Sequence, residues 1–276
     1  MQIALNGATT MKADLETDIR AASEAGFDCL EIWAAKLRTF LESRGADELN
    51  HLLTTHNLQP YSINSIERIT FRDADARESL LTECEDLCRI AREIRCPYIV
   101  VVPSPLPAGA TLGKVIEESM RALVELGGIA EVYGVGLAFE FLGQQNCSVQ
   151  TLSLADQIVR RVDRQNVGLV IDSFHFHTGG STIESIAALD PNRLFVFHIN
   201  DAENLPREQL EDSHRLLPGL GILPLKEIVG ALEAIGYDRV ASVEIFRPEY
   251  WERDPFELAR QAMAAAKRAL DISPLS

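Results

Sequence analysis

The sequence predicts an α/β chain folded as a single (β/α)8 TIM barrel. Two observations carry this. Short runs rich in β-branched and aromatic residues alternate from end to end with longer stretches whose apolar residues recur at three and four. No linker or low-complexity break interrupts the 276 residues, and such barrels typically run to about 250. An open doubly wound sheet is the nearest alternative, but no glycine-rich phosphate loop follows the first run. One domain over 1–276 is expected.

The strands are expected, in order, at QIALN (2–6), FDCLEIW (27–33), QPYSINSIE (59–67) and PYIVVVP (97–103). The second half supplies VGLAFEF (135–141), NVGLVID (166–172), RLFVFHIN (193–200) and RVASVEIF (239–246). Helices are expected between them, most clearly over 78–94 and 113–133, where the apolar spacing marks one buried face.

Composition narrows the partners. There are 26 Lys+Arg against 41 Asp+Glu, a formal charge of −15. An acidic surface repels nucleic-acid phosphates and anionic lipid headgroups, so no nucleic acid and no membrane are expected. A neutral small molecule fits better. The five cysteines are odd in number and include no Cys-x-x-Cys pair, which reads as reduced thiols. The N-terminus lacks a basic segment followed by an apolar one, and no apolar run approaches ~18 residues. A cytoplasmic protein is expected, with a homo-oligomer left open.

In a TIM barrel the chemistry stands at the C-terminal strand ends, pointing inward. Alternation along each strand places Gly136, Ala138 and Glu140 on one face, with bulky Leu137, Phe139 and Phe141 toward the helices. The same parity turns Gly168, Val170 and Asp172 inward. It does so for Leu194, Val196 and His198, and for Ser242 and Glu244. Three carboxylates and one imidazole therefore converge from the fifth to the eighth strands. Packed together, the carboxylates repel one another and their pKa values rise, a conflict that a divalent cation removes. Oxygen-rich ligation with one nitrogen suits manganese best, with cobalt, zinc or magnesium as alternatives. The net negative charge left over favours a polyol over a phosphate ester.

His175 follows Asp172 by three residues, close enough to place its imidazole over a bound substrate. His177 is open between a structural and a substrate role. Arg247, Tyr250 and Trp251 follow the last ligand, and Arg247 either meets substrate hydroxyls or pairs with Glu249 or Asp254. Trp251 either walls the site or covers a partner subunit. Glu31 and Asn6, at the second and first strand ends, are further candidates for substrate hydroxyls.

The set AFEF around Glu140, IDSFH around Asp172 and His175, FHIND around His198 and VEIFRPEY around Glu244 resembles the xylose-isomerase-like barrel superfamily over essentially the whole chain. Within it the sequence is most similar to the keto-inositol isomerases of inositol catabolism. The stretches LNGATT, AEVYGV (130–135), NVGLVIDSFHFH, PGLG (218–221) and VEIFRPEYW carry that similarity. The resemblance implies that Glu140, Asp172, His198 and Glu244 ligate the metal. Ketohexose epimerases of the superfamily carry a further glutamate and an arginine where this chain has Asn146 and Asn204. Its endonucleases need extra histidines, which are missing near Asn64–Ser65 and Pro103–Ser104.

The implied reaction is proton transfer between adjacent carbons through a cis-enediolate, with Glu140 or Glu244 as base and His175 stabilising the intermediate. Isomerase, epimerase and dehydratase outcomes share this constellation. A non-catalytic sugar-binding barrel is the alternative from another class, and it would need no acid/base pair.

Overall fold

Residues 1–271 are described by the computed structural model; residues 272–276 of the expected barrel lie outside the described residues. The chain opens with β1 (Gln2–Asn6), α1 (Leu15–Ala25), β2 (Cys29–Trp33), α2 (Ala34–Leu41), α3 (Ala46–Thr55) and β3 (Gln59–Ile66). There follow α4 (Ala74–Glu93), β4 (Tyr98–Val101), α5 (Leu112–Tyr133), β5 (Gly136–Glu140), α6 (Leu152–Val162) and β6 (Val167–Asp172). After the short helices α7 (Ser173–Thr178) and α8 (Ile183–Ala187) comes β7 (Leu194–Ile199). A two-stranded hairpin, β8 (Asp201–Ala202) and β9 (Arg215–Leu216), then precedes α9 (Leu225–Ala234) and β10 (Val240–Val243). Helices α10 (Pro248–Trp251) and α11 (Pro255–Ala269) close the described chain.

Eight of these strands form a closed parallel barrel in the order β1-β10-β7-β6-β5-β4-β3-β2, with β1 lying between β10 and β2. The expected TIM barrel is therefore the fold. Several helices start where the sequence supplies caps. Asp14, Asp73 and Thr111 each accept a hydrogen bond from a first-turn amide of α1, α4 and α5. Asp73 explains why α4 begins at Ala74, earlier than its apolar periodicity suggests. No helix among the described residues is long and apolar enough to cross a membrane. All five cysteines are free and buried.

Two cores follow from strand alternation. Outward residues such as Phe139, Ile171 and Phe197 join the helices in one large cluster. The barrel interior is filled by Val100, Val102, Ala138, Val170, Phe195 and Val196, with Ala4, Cys29 and Val240 as a smaller patch beside Tyr61. One expectation fails here. Leu194 packs in the outer cluster, and Phe195 turns inward instead. The pairing shifts between Leu169↔Leu194 and Val170↔Val196, so β7 carries one extra residue and its parity changes below Val196. Val196 and His198 keep the expected direction.

Phe195 closes the floor of the barrel. Its ring stacks on Tyr98 at 4.6 Å between centroids, and the Tyr61 hydroxyl donates to its carbonyl at 2.8 Å. The two small inward residues make room. A methyl on Gly168 would stand 2.4 Å from the Arg193 carbonyl oxygen and 2.7 Å from the Phe195 ring, and one on Gly136 would meet Tyr98 at 2.8 Å. Gly168→Ala is therefore expected to destabilise the barrel by about 1–3 kcal/mol through overpacking. Urea unfolding measures this, and an unchanged midpoint would show that the floor has slack.

Candidate metal centre

Glu140 ends β5, Asp172 ends β6, His198 lies near the end of β7, and Glu244 follows β10 directly. One potential ligand atom from each lies within 4.8 Å of the others, and all four residues are buried. His198 turns Nδ1 toward the carboxylates, 3.0 Å from Glu140 Oε1 and 3.3 Å from Glu244 Oε2. The donor set of one nitrogen and three carboxylates is compact enough for one divalent cation and matches its chemistry.

The electrostatics point the same way. Burial pushes the Glu140 carboxyl up to about 8, with Glu244 and Asp172 adding repulsion against the pull of His198. Asp172 is buried as deeply, yet Arg215, His175 and His198 hold its carboxyl down at about 2. His198 is raised well above the usual histidine range: its burial works against the charge, and Glu244, Glu31 and Glu140 outweigh it. A field that favours the charged form of a buried imidazole is also a field that draws in a metal ion.

Around the four lies a shell of oriented groups. Asn6 and Asn64 donate to Glu244 Oε1 at 3.0 and 2.6 Å. Asn200 donates to Asp172 Oδ2 at 2.8 Å. Arg215, 1% exposed, donates through Nη1 to Asp172 Oδ2 at 2.8 Å and to Glu244 Oε2 at 3.0 Å. Its Nη2 sits 3.0 Å from His175 Nε2, and Asp212 takes the remaining guanidinium hydrogens. Above the cluster opens a cavity of about 370 Å³, lined in part by Glu140, His175, Arg215, Glu244, Asn146 and Arg68. A larger groove between α2 and α4 has none of these convergent groups.

Several expected substrate contacts move. Glu31 does not face the cavity. It is fully buried behind His198, accepting from Nε2 at 3.1 Å and from the Ser242 hydroxyl at 2.6 Å. Asn6 likewise serves Glu244. Arg247 pairs with Glu203 at 2.7 Å and Glu249 at 3.3 Å, and its Nη1 reaches the Ser213 and Arg215 carbonyls, so it braces the hairpin. Trp251 donates to the Ala8 carbonyl at 2.9 Å and lines a different depression with Thr10 and Lys12. His175 does line the cavity; His177 does not.

Arg215 and Asp212 escaped the sequence reading. They lie in a long connection that holds only two-residue strands and three-residue 3-10 turns, too short for parity or periodicity to mark them. Asn200, in contrast, ends the seventh expected run and was within reach of the same parity search.

The chain matches the Xylose isomerase-like TIM barrel family over residues 19–269. It belongs to that family. An inosose isomerase of Bacillus velezensis is 36% identical over 264 residues, 95% of this chain and 94% of that one. An inosose isomerase of Bacillus subtilis is 36% identical over 270 residues, 97% and 96% of the two chains. A crystal structure of an IolI protein with a binding zinc atom superposes with a TM-score of 0.95 at 35% identity, covering 98% of each chain.

The Glu31 contact generates a direct test. A carboxylate on the far nitrogen of a ligating imidazole fixes its orientation and raises its basicity, and losing it typically lowers metal affinity about 10–100-fold. Glu31→Gln is expected to show that loss in calorimetric titration of stripped protein with zinc, with an unchanged circular dichroism spectrum. Equal affinity in the variant would show that His198 needs no anchor.

Proposed function

We propose that this chain is a divalent-metal-dependent isomerase that moves a carbonyl between adjacent carbons of a keto-inositol, 2-keto-myo-inositol being the substrate. The observation that carries the reading is the buried Glu140–Asp172–His198–Glu244 cluster under a polar cavity. The full-length likeness to inosose isomerases supplies the substrate class. The proposed ligands are those four residues. Manganese is the proposed physiological metal because three of four donors are carboxylates; zinc is what the related IolI structure carries. A divalent cation there supplies Lewis-acid polarisation of a carbonyl and its neighbouring hydroxyl.

The protein groups divide the remaining work. Glu244 is held on both oxygens, by Asn6 and Asn64 on one and Arg215 on the other. Among the described residues Glu140 has a hydrogen-bond partner on Oε1 alone, so its second oxygen is the freer to take a proton from carbon. We assign Glu140 as the base that takes the proton from one carbon and returns the same proton to the neighbouring carbon, and Glu244, held on both oxygens, as the carboxylate that positions the reacting groups. His175 faces the oxygen that becomes negative. Asn146 and Arg68 at the cavity wall offer donors to the distal hydroxyls, and Arg68 has no ion pair or side-chain hydrogen bond of its own among the described residues. An amide at Asn146, in place of the glutamate of ketohexose epimerases, supports the isomerase over the epimerase. The acidic chain charge and buried free thiols support a small-molecule reaction in the cytoplasm.

Incubation of 2-keto-myo-inositol in D₂O, with NMR after protein removal, tests the reading. A second keto-inositol carrying deuterium beside its carbonyl is expected with manganese and not after EDTA. Glu140→Gln and Glu244→Gln are each expected to lower kcat by about 10²–10⁴-fold, the usual worth of a positioned acid/base. Full turnover in both variants would remove the proposed proton transfer, and a diketone product would make the protein a dehydratase.

A further inference from the structure

The guanidinium of Arg215 has five N–H hydrogens and no acceptor. The structure accounts for every one. Nε–H and one Nη2 hydrogen go to Asp212 Oδ1, at 3.2 and 2.9 Å. The two Nη1 hydrogens go to Asp172 Oδ2 and Glu244 Oε2. The last Nη2 hydrogen points at His175 Nε2, 3.0 Å away. An arginine can only donate, so Nε2 must accept and cannot carry a proton. The one hydrogen of a neutral ring then stands on Nδ1. That atom is buried and has no hydrogen-bond partner among the described residues, in a side chain that lines the cavity over the metal cluster.

We infer that Arg215 is a positioning residue that locks His175 in the Nδ1–H tautomer, making His175 a fixed hydrogen-bond donor to a substrate oxygen and never the base. An unpaired buried donor costs about 1–3 kcal/mol, a cost relieved when a substrate oxygen arrives. A neutral donor suits an oxygen that gains charge during proton transfer, because the bond strengthens as the charge develops. It also leaves the carbon-bound proton to a carboxylate. The inference rests on the proposed isomerisation for its substrate, but the tautomer itself does not.

The tautomer is read first, without substrate, by two-bond ¹⁵N–¹H correlation on zinc-loaded protein labelled at its six histidines. The His175 signals are identified by their loss in His175→Asn. A pyridine-type Nε2 and a pyrrole-type Nδ1 are expected at neutral pH. A proton on Nε2 overturns the inference whatever the protein does to keto-inositols. Arg215→Met, which keeps bulk but donates nothing, is expected to let the proton exchange between the two nitrogens. An unchanged tautomer in that variant would relieve Arg215 of the role.

Turnover supplies the second arm. Asparagine can place its amide N–H where Nδ1–H stands, and glutamine places its own where Nε2 stands. His175→Asn is expected to keep kcat within about tenfold, and His175→Gln to lose about 10²–10³-fold, the usual worth of one oriented donor to a developing oxyanion. The reverse order of the two variants would put the working donor on Nε2 and sink the assignment.

Discussion

Four carboxylates, those of Glu31, Glu140, Asp172 and Glu244, surround one buried imidazole at the barrel mouth, and the rest of the mouth is arranged around that charge. Burying like charges together is strongly unfavourable unless each oxygen finds a donor or a cation. The protein answers with two asparagines on Glu244, one on Asp172, a serine on Glu31 and a saturated arginine between Asp172 and Glu244. Glu140 is left with His198 alone among the described residues. The unsatisfied part of the charge is therefore focused at the floor of the cavity, where a dication and a reacting substrate would meet it.

Rigidity behind the mouth keeps these groups in register. The loop after β1, which carries Asn6 at its root, is pinned by Lys36, whose ammonium donates to the Gly7 and Thr10 carbonyls and pairs with Asp18 at 2.7 Å. Thr9 ties the same loop to β10 beside Glu244, donating to the Val243 carbonyl and accepting from the Ile245 amide. At the opposite end, Tyr61, Tyr98 and Phe195 fill the barrel and exclude water from below. An apolar floor and a polar, braced mouth give the cluster one open side, which is the geometry a site needs to strengthen its electrostatics without losing access.

How much of this could be read in the sequence depends on where each residue sits. Glu140, Asp172, His198 and Glu244 were legible because strand parity and the barrel rule together fix both direction and end. Parity failed at Leu194 because an extra residue in β7 leaves no mark in the hydrophobic pattern. Glu31 was legible as an inward strand-end carboxylate, but its role was not: whether it meets substrate or His198 depends on a neighbour 167 positions away. Arg247 and Trp251 follow Glu244 in sequence, but the chain turns at once into α10 and carries them off the cavity; of the alternatives open for Arg247, the pair with Glu249 is the one that forms. Arg215 was invisible for the opposite reason, being remote in sequence and brought in by a hairpin.

That hairpin separates two jobs that a single strand end would have to combine. Asp201 accepts from the amides of Ala202, Gly219 and Leu223, so it fixes both ends of the β8–β9 excursion. Gly221 passes so close that a methyl there would lie 2.1 Å from the Ala202 carbonyl oxygen. The four-residue cluster hangs on barrel strands whose register is set by the sheet, whereas Arg215 and Asp212 hang on this separate, locally anchored loop. The strand ends supply the four buried groups, and the hairpin supplies the guanidinium that bridges two of them.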